Sequence, residues 1–199
     1  MKTKLQLFLF FFSIQCIGQI AYDYKDGYEF ILKAERNFKG GNIAKAEQFV
    51  EKAKKSNYGF CGNAWASAYG RINLLEARIL NRKREFDKAL AVLDSLNGCN
   101  IGADCNARDS LKIATLILKF GKEKVKESFE NTTVEDMTVK ELDFERSYSL
   151  NLKGLNYIFR FVCSDYKYVF DGEKSHSENK TKSDILSEVK NYNYFKQLE

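Results

Sequence analysis

The sequence contains no proline and only one histidine among its 199 residues. Proline lacks a backbone N–H and clashes with the preceding helical turn, so its absence permits long uninterrupted helices. A single histidine cannot supply the two or three imidazole ligands that a catalytic metal site usually requires. The chain also has no phosphate-binding glycine loop, no GxSxG turn and no HExxH motif. We therefore expect no catalytic residues, no metal and no cofactor.

The one histidine, His176, lies in a polar stretch beside Ser175, Ser177 and Glu178. No activated nucleophile is adjacent to it in the sequence, and a flexible polar segment does not hold catalytic groups in fixed geometry. We interpret it as a solvated surface residue. One enzymatic alternative stays open, a hydrolase whose carboxylate site is assembled only by the fold. Two acids with strongly perturbed pKa values in a cleft would indicate such a site.

Charge of neither sign dominates the chain. It has 32 lysines and arginines against 27 aspartates and glutamates, a formal net charge of +5. The two signs are interleaved along most of the sequence, which is typical of a solvated surface and not of a nucleic-acid-binding face. We expect no nucleic-acid partner.

Long apolar runs are confined to the first residues. Two lysines precede the apolar run 5–12, and the small residues Cys16 and Gly18 flank a cleavage position before Gln19. This pattern predicts a cleaved signal peptide over residues 1–18. The run is shorter than the roughly 20 residues that span a bilayer. A retained anchor and a lipidated cysteine are the alternatives.

The predicted signal peptide also indicates a compartment. Its lysine start, its phenylalanine-rich core and the glutamine after the cut resemble the signal peptides of Bacteroidetes bacteria. The resemblance implies a periplasmic or secreted mature protein. After removal of the signal we expect no transmembrane segment.

Four cysteines follow the predicted signal, namely Cys61, Cys99, Cys105 and Cys163. An even number of cysteines in an exported chain favours disulfides, because oxidising compartments keep them formed. In a helical hairpin the start of the first helix lies beside the end of the second, so we prefer a bond from Cys61 to Cys99 or Cys105. The alternative is that these cysteines are small buried hydrophobic residues.

One helical-hairpin pattern occurs twice between residues 27 and 96. Ala34 and Ala46 in the first copy match Ala77 and Ala89 in the second, an offset of 43 residues. Small residues at these spacings let two antiparallel helices approach closely, while larger apolar residues fill the seam. The pattern predicts four helices, over 28–38, 43–55, 64–80 and 86–96.

A third hairpin follows in weaker form over 109–120 and 122–129, with Gly121 at its turn. Lys126 occupies the place where the second small residue is expected, so we predict that this hairpin packs differently or closes the stack. Terminal repeats are often atypical for that reason.

These hairpins resemble the tetratricopeptide repeat family, which pairs two antiparallel helices with a small residue in each and a glycine at the turn. The family's tyrosine position holds Asn37 and then Leu80, its closing proline is absent, and the period is longer than usual. The matching positions are Ala34, Gly41, Ala46 and Ala53, then Ala77, Arg84, Ala89 and Leu96.

The resemblance implies a concave groove lined by the first helix of each hairpin. Arginines mixed with a few apolar groups suit a protein or peptide segment with acidic groups or a free C-terminus, because guanidinium binds carboxylate through paired donors. The alternative is that these cations are the solvated side of amphipathic helices. The groove residues on the matching positions are Tyr28, Ile31, Glu35, Phe38, Lys39, Arg71, Leu74, Arg78, Arg82, Arg108 and Lys119.

After residue 131 the apolar pattern changes from helical to alternating. Apolar and polar residues alternate over 142–152 and 155–163, and aromatic residues recur over 166–170. We predict a three-stranded antiparallel meander over residues 141–171, because aromatic residues favour a pleated surface. The alternative is a fourth helical hairpin, which would make the chain an all-α helical repeat.

The last part of the chain is predicted to form a loop followed by a helix. The polar stretch 171–182 predicts a flexible loop. Ser183 is the predicted N-cap of the helix, with Asp184 and Glu188 in the first turns. The apolar stripe of this helix is Ile185, Leu186, Val189, Tyr192 and Phe195.

Together these patterns predict an α+β protein in three parts. They are a signal peptide over 1–18, tetratricopeptide-like hairpins over 19–131, and a β-meander with a C-terminal helix over 132–199. We expect a non-catalytic exported scaffold that binds a protein or peptide in its helical groove. One alternative is a periplasmic inhibitor or immunity-type protein that binds through the meander residues Tyr157, Phe159 and Tyr168.

Overall fold

The computed structural model describes residues 24–96, 105–141, 146–162, 166–172 and 174–191. The predicted signal peptide, Cys99 and Cys163 lie outside these ranges. The predicted α+β class is confirmed, with helices followed by antiparallel strands and one more helix. The helices are α1 Tyr24–Lys39, α2 Ile43–Lys54, α3 Gly62–Arg82, α4 Phe86–Ser95, α5 Cys105–Phe120, α6 Lys122–Glu130 and α7 Lys182–Asn191. The strands are β1 Met137–Glu141, β2 Arg146–Leu152, β3 Tyr157–Val162, β4 Tyr166–Asp171 and β5 Lys174–Asn179.

The first six helices form three successive helical hairpins, which pair α1 with α2, α3 with α4, and α5 with α6. The matched alanines Ala34, Ala46, Ala77 and Ala89 are all fully buried, with 0% exposure. Each of them therefore lies in a helix contact where a larger side chain would hold the helices apart. In addition, α3 contacts both α1 and α5, so the first helices of the hairpins lie side by side.

The turns of the first two hairpins have the same geometry. Gly41 and Arg84 both adopt a positive φ, 78° and 62° respectively. The next amide N–H in each turn, that of Asn42 or Glu85, reaches back to the carbonyl of Asn37 or Leu80 at 2.9 Å. A left-handed residue with this bonding pattern terminates a helix and satisfies its last carbonyl groups. Residues that are 43 positions apart in the two turns therefore share the same backbone conformation.

Tyr58 closes the first hairpin on the side of the α2–α3 connection. Its ring is 1% exposed, and its hydroxyl donates to the Ala53 carbonyl at 2.8 Å. The ring packs edge to face against Tyr28 and Trp65, with centroid distances of 5.4 and 5.2 Å. Aromatic pairs prefer this arrangement because the positive ring edge meets the negative ring face. The cluster joins α1 to the beginning of α3.

A three-stranded antiparallel sheet follows the hairpins, in the order β1–β2–β3. The predicted meander is partly misplaced, because its first strand, β1, begins at Met137, before the predicted region. In the sheet Thr138 faces Ser149, and Leu150 faces Phe159. The all-α alternative is wrong, since strands occupy this part of the chain.

The third predicted strand, β4, does not extend that sheet. It pairs instead with β5 in a separate two-stranded sheet, with Val169 opposite His176. The predicted flexible loop over 171–182 is therefore wrong, because half of this polar stretch forms β5. Backbone pairing with β4 supplies the hydrogen bonds that a polar strand needs, although its composition gives little sign of a strand.

The largest core joins the last helical hairpin to the three-stranded sheet and α7. It contains residues from α4, α5 and α6, from the inner face of the sheet and from α7, so it crosses the predicted boundary between residues 131 and 132. Its members are Leu90, Ile113, Leu116, Val125, Phe129, Met137, Tyr148, Leu150, Leu152, Leu155, Phe159, Phe161, Ile185, Leu186 and Val189.

The last helix, α7, begins one residue earlier than predicted, and its cap is Thr181 instead of Ser183. The Thr181 hydroxyl accepts from the amide N–H of Asp184 at 3.1 Å, and the Asp184 carboxylate accepts from the Thr181 amide at 2.8 Å. This reciprocal pair is a capping box. Ile185, Leu186 and Val189 are buried as predicted, while the remaining two stripe residues, Tyr192 and Phe195, lie outside the described ranges.

The preferred disulfide is wrong. Cys61 is free and exposed at the position preceding α3, so it bonds neither Cys99 nor Cys105. Cys105, the first residue of α5, is disulfide-bonded, and its partner lies outside the described ranges. Adjacency at the ends of a helical hairpin was therefore a poor guide to the pairing.

Candidate functional site

The predicted groove corresponds to the side of α1, α3 and α5 where these helices contact one another. Two side-chain links mark this surface. Arg71 of α3 donates to Glu35 of α1 at 2.8 Å, and the Asn81 amide donates to the Thr115 hydroxyl of α5 at 2.8 Å. We call this surface the helix face. It is defined by the exposed residues Leu32 and Lys39 of α1, Arg78 and Arg82 of α3, and Leu118 of α5.

Two predicted groove residues do not reach the helix face. Ile31 is 1% exposed and belongs to the core of the first hairpin. Arg108 is 4% exposed and donates to Asp109 of its own helix and to the Leu96 carbonyl. Both assignments are wrong, because the family pattern transferred to these positions does not determine which way each helix is rotated.

Three further groove residues are held mainly by packing. Tyr28 and Phe38 pack against the core of the first hairpin, and the Tyr28 hydroxyl donates to the Ala64 carbonyl at 3.2 Å. Leu74 packs against a small cluster of α3 and α4 residues. These side chains are half-buried, so they shape the helix face more than they project from it.

Three other charged residues of the predicted groove are already neutralised within the chain. Glu35 and Arg71 pair with each other across α1 and α3 at 2.8 Å. Lys119 pairs with Asp87 at the start of α4. A ligand that bound these groups would have to displace an existing partner.

The remaining three groove residues are exposed and are not neutralised. Lys39, Arg78 and Arg82 have no carboxylate partner among the described residues. Arg78 and Arg82 are four residues apart on α3, so they lie one above the other on the same side of the helix. Their role as groove residues stays a prediction.

Exposed leucines lie on the two helices that flank α3. Leu32 of α1 is 47% exposed and lies one turn before Glu35, the residue that contacts Arg71. Leu118 of α5 is 58% exposed and lies one turn after Thr115, which contacts Asn81. Residues three apart share a side of a helix. The helix face therefore combines two unpaired guanidinium groups with apolar side chains on the neighbouring helices.

A buried charge cluster joins the helices to the sheet, and sequence analysis missed it. Lys112 of α5 is 1% exposed, and its ammonium contacts the Asp94 carboxylate of α4 at 2.8 Å and the Arg160 carbonyl of β3 at 3.1 Å. The Tyr157 hydroxyl donates to the same carboxylate at 3.0 Å. Charged residues at core positions of an otherwise apolar α5 were the available signal.

The electrostatics of this cluster follow from its burial. Burial raises the pKa of Asp109 despite the adjacent Arg108 guanidinium, and burial lowers the pKa of Lys112 despite Asp94. The pKa of the Tyr157 hydroxyl is raised by burial and by the Asp94 charge. Perturbed acids indicate catalysis only when they line a cleft. Asp109 is instead 2% exposed and held by two nitrogen atoms of Arg108, so we interpret the cluster as structural.

The meander alternative names three residues, and one of them, Phe159, is buried. Phe159 is 0% exposed in the core, and Tyr157 is committed to Asp94. Phe159 therefore offers no binding surface, because it packs against the helices, whereas Tyr157 is half-buried. The side chain of Tyr168 lies outside the part of the molecule that the structure describes.

The described ranges show neither a metal cluster nor a membrane-spanning helix. Those ranges contain no group of three or more histidine, cysteine, aspartate or glutamate residues arranged to hold a metal ion. None of their helices combines the length and apolar character that a membrane span requires. His176 lies on β5 and not in a loop.

Comparison with known proteins adds no assignment. No protein-family model, curated protein or solved structure matches this chain.

Proposed function

We propose that this chain is a non-catalytic exported binding protein, which holds an acidic protein or peptide segment on the helix face. The observation that carries the proposal is the pair Arg78 and Arg82, exposed one turn apart on α3 without a carboxylate partner among the described residues. By contrast, Lys83 beside them is paired with Glu47 at 2.7 Å and with Glu85 at 3.2 Å.

An acidic segment suits this surface for a chemical reason. Guanidinium presents paired donors that match the two oxygens of a carboxylate, and it keeps its charge at every physiological pH. The negative charge of Glu35 is already opposed by Arg71, so it repels an acidic ligand less. Leu32 and Leu118 offer apolar contact on the neighbouring helices.

Two further observations support the class of protein. The buried alanines and the shared turn geometry of Gly41 and Arg84 agree with the resemblance to tetratricopeptide repeats. The apolar run at the start of the sequence, with its lysines and small residues, supports export to the periplasm or the exterior. Neither observation names the partner.

The proposal is tested by fluorescence anisotropy of the mature, oxidised protein with three labelled peptides of equal length. One is rich in Asp and Glu and ends in a free carboxylate, the second is the same peptide with an amidated end, and the third is rich in Lys. We expect the acidic peptides to bind. Replacing both arginines, Arg78→Ala with Arg82→Ala, weakens binding about ten-fold, since two exposed charge contacts together contribute about 1.4 kcal/mol.

A matched control removes two exposed cations, with Lys45→Ala in α2 and Lys55→Ala at the C-cap of that helix, and changes the net charge by the same amount. Equal weakening in both double variants would show that net charge alone attracts the peptide. Binding of the Lys-rich peptide, or of no peptide, would also contradict the proposal. A difference between the free and amidated peptides would decide whether a terminal carboxylate is recognised.

A further inference from the structure

A polar pocket of about 440 Å³ opens on the outer face of the three-stranded sheet, away from the core. Its volume lies within the range of roughly 300–1,000 Å³ that is usual for small-molecule sites. None of the groove residues discussed above lines it. The lining residues are Asp136, Thr138, Ser149, Asn151, Asn156, Tyr157 and Ile158.

Two fixed segments form the walls of the pocket. One is the 3-10 turn Val134–Asp136, and the other is the β2–β3 connection that contains Lys153 and Asn156. The Lys153 ammonium bridges them through an ion pair with the Asp136 carboxylate at 2.8 Å. The Ser128 hydroxyl also donates to the Lys153 carbonyl at 2.7 Å and ties the connection to α6. The walls are thus held in place before any ligand enters.

The floor of the pocket consists of cross-strand neighbours on the outer face. Thr138 lies opposite Ser149, and Asn151 lies opposite Ile158. Ile158 is 48% exposed, an apolar group among polar ones. The side chains of Thr138, Ser149 and Asn151, and that of Asn156 at the rim, make no hydrogen bond to another described residue. Their donors and acceptors are available to a ligand.

The charges around the pocket are balanced. The Asp136 carboxylate accepts from the Thr133 amide at 3.0 Å as well as from Lys153. The Lys153 ammonium lowers the pKa of Asp136, so the carboxylate is ionised at neutral pH and its charge is opposed. A charged ligand finds no unpaired counter-charge among the lining residues. A wholly apolar ligand would leave the amide and hydroxyl groups without hydrogen bonds, which is unfavourable.

We infer that this pocket binds a neutral, polyhydroxylated ligand of pyranose-sugar size. Its hydroxyl groups bond to Thr138, Ser149, Asn151 and Asn156, and a C–H face of its ring rests on Ile158. Amide and hydroxyl side chains both donate and accept, which matches the dual character of a sugar hydroxyl. The site is separate from the helix face and does not depend on the function proposed for it.

The test is saturation-transfer and chemical-shift NMR of the full mature chain with a panel of neutral methyl glycosides and disaccharides. Gluconate serves as an anionic probe and glucosamine as a cationic probe. We expect saturable binding of at least one neutral sugar and none of the charged pair. Replacing the floor groups, Ser149→Ala with Asn151→Ala, weakens that binding about ten-fold, since two lost hydrogen bonds change the binding constant by that order.

A second variant protects the test against misfolding. Asn156→Gly removes only the rim amide, and glycine accepts the positive φ of 51° at this position without strain. We expect it to weaken sugar binding while leaving the circular dichroism spectrum unchanged. Asn63→Ala, an exposed asparagine at the start of α3, is the matched control. Absence of saturable binding by every neutral sugar, or equal weakening in the control, would overturn the inference.

Discussion

Gly41 and Arg84 occupy the same position in successive hairpins, and both adopt left-handed backbone conformations, with φ of 78° and 62°. Glycine reaches this region freely, whereas for other L residues it costs about 1–2 kcal/mol. The second hairpin therefore accepts strain at a turn where the first has none. The repeat preserves the geometry of the turn even where it has lost the residue best suited to it.

Arg84→Gly is expected to raise the free energy of unfolding by about 1 kcal/mol, because glycine relieves the left-handed strain. Gly41→Ala is expected to lower it by about the same amount for the opposite reason. No atom lies within 4 Å of the position where a Cβ on Gly41 would be, so only backbone strain is involved. Urea unfolding measures both changes. If both variants raised the free energy of unfolding, or both lowered it, the shared turn geometry would be contradicted.

Gly27→Ala is expected to destabilise the first hairpin by about 1–3 kcal/mol, because a Cβ there would lie 2.7 Å from a ring carbon of Tyr58. Thermal unfolding followed by circular dichroism measures the loss. Gly62→Ala is the control, since its Cβ would have no atom within 4 Å and alanine favours a helix. Similar losses in the two variants would mean that the Tyr58 contact is not the cause.

Lys112→Met is expected to lower the free energy of unfolding by about 2–4 kcal/mol, because it leaves the Asp94 carboxylate without its buried ammonium. Asp94→Asn is expected to lower the free energy of unfolding less in the Lys112→Met background than in the wild type. In that background the Asp94 carboxylate has already lost its main partner. A double-mutant cycle in urea measures a coupling of about 1–3 kcal/mol. Strict additivity would argue against a shared cluster.

Tyr58 gives stability a pH dependence at alkaline pH. Burial, together with the nearby Tyr28, raises the pKa of its hydroxyl from 10.0 to about 12. Between these two values the unfolded chain releases the proton while the folded chain retains it, so stability falls as pH rises through this window and is fully present below it. Tyr58→Phe has no hydroxyl to titrate at this position, so the fall in stability that Tyr58 causes is expected to be absent in the variant.

Urea unfolding at several pH values compares the slopes of wild type and Tyr58→Phe. The variant is expected to start about 1 kcal/mol less stable, because it lacks the hydrogen bond to Ala53. Tyr69→Phe, whose ring is 42% exposed, controls for removal of a tyrosine hydroxyl. Parallel slopes for wild type and Tyr58→Phe would contradict the assignment.

Asn81→Leu is expected to raise the free energy of unfolding by about 0.5–1 kcal/mol. The Asn81 amide oxygen is buried and has no hydrogen-bond partner among the described residues, which is unfavourable in a native structure. The Thr115 hydroxyl keeps its bond to the Leu111 carbonyl at 2.7 Å after the change. Differential scanning calorimetry measures the gain, and a lower unfolding temperature would show that the oxygen has a donor.

Local patterns in the sequence located the helices well. The periodicity around Ala34, Ala46, Ala77 and Ala89 predicted four helices, and all four form with those alanines fully buried. Periodicity succeeds here because each helix makes its own backbone hydrogen bonds and shows its buried side every three to four residues. The candidate site was predicted less completely: of the charged groove residues, Lys39, Arg78 and Arg82 are exposed and have no carboxylate partner among the described residues.

What the sequence determined by itself was the set of helices, the duplicated turn and the change to strands after residue 131, because each depends on neighbours within a few residues. Tertiary structure decided the rest. It paired β4 with β5, buried Arg108 and Lys112 in a charge cluster and assembled the polar pocket from three strands and two connecting segments. These outcomes depend on contacts between residues far apart in the chain, and the periodicity of a local stretch does not predict which distant residues come into contact.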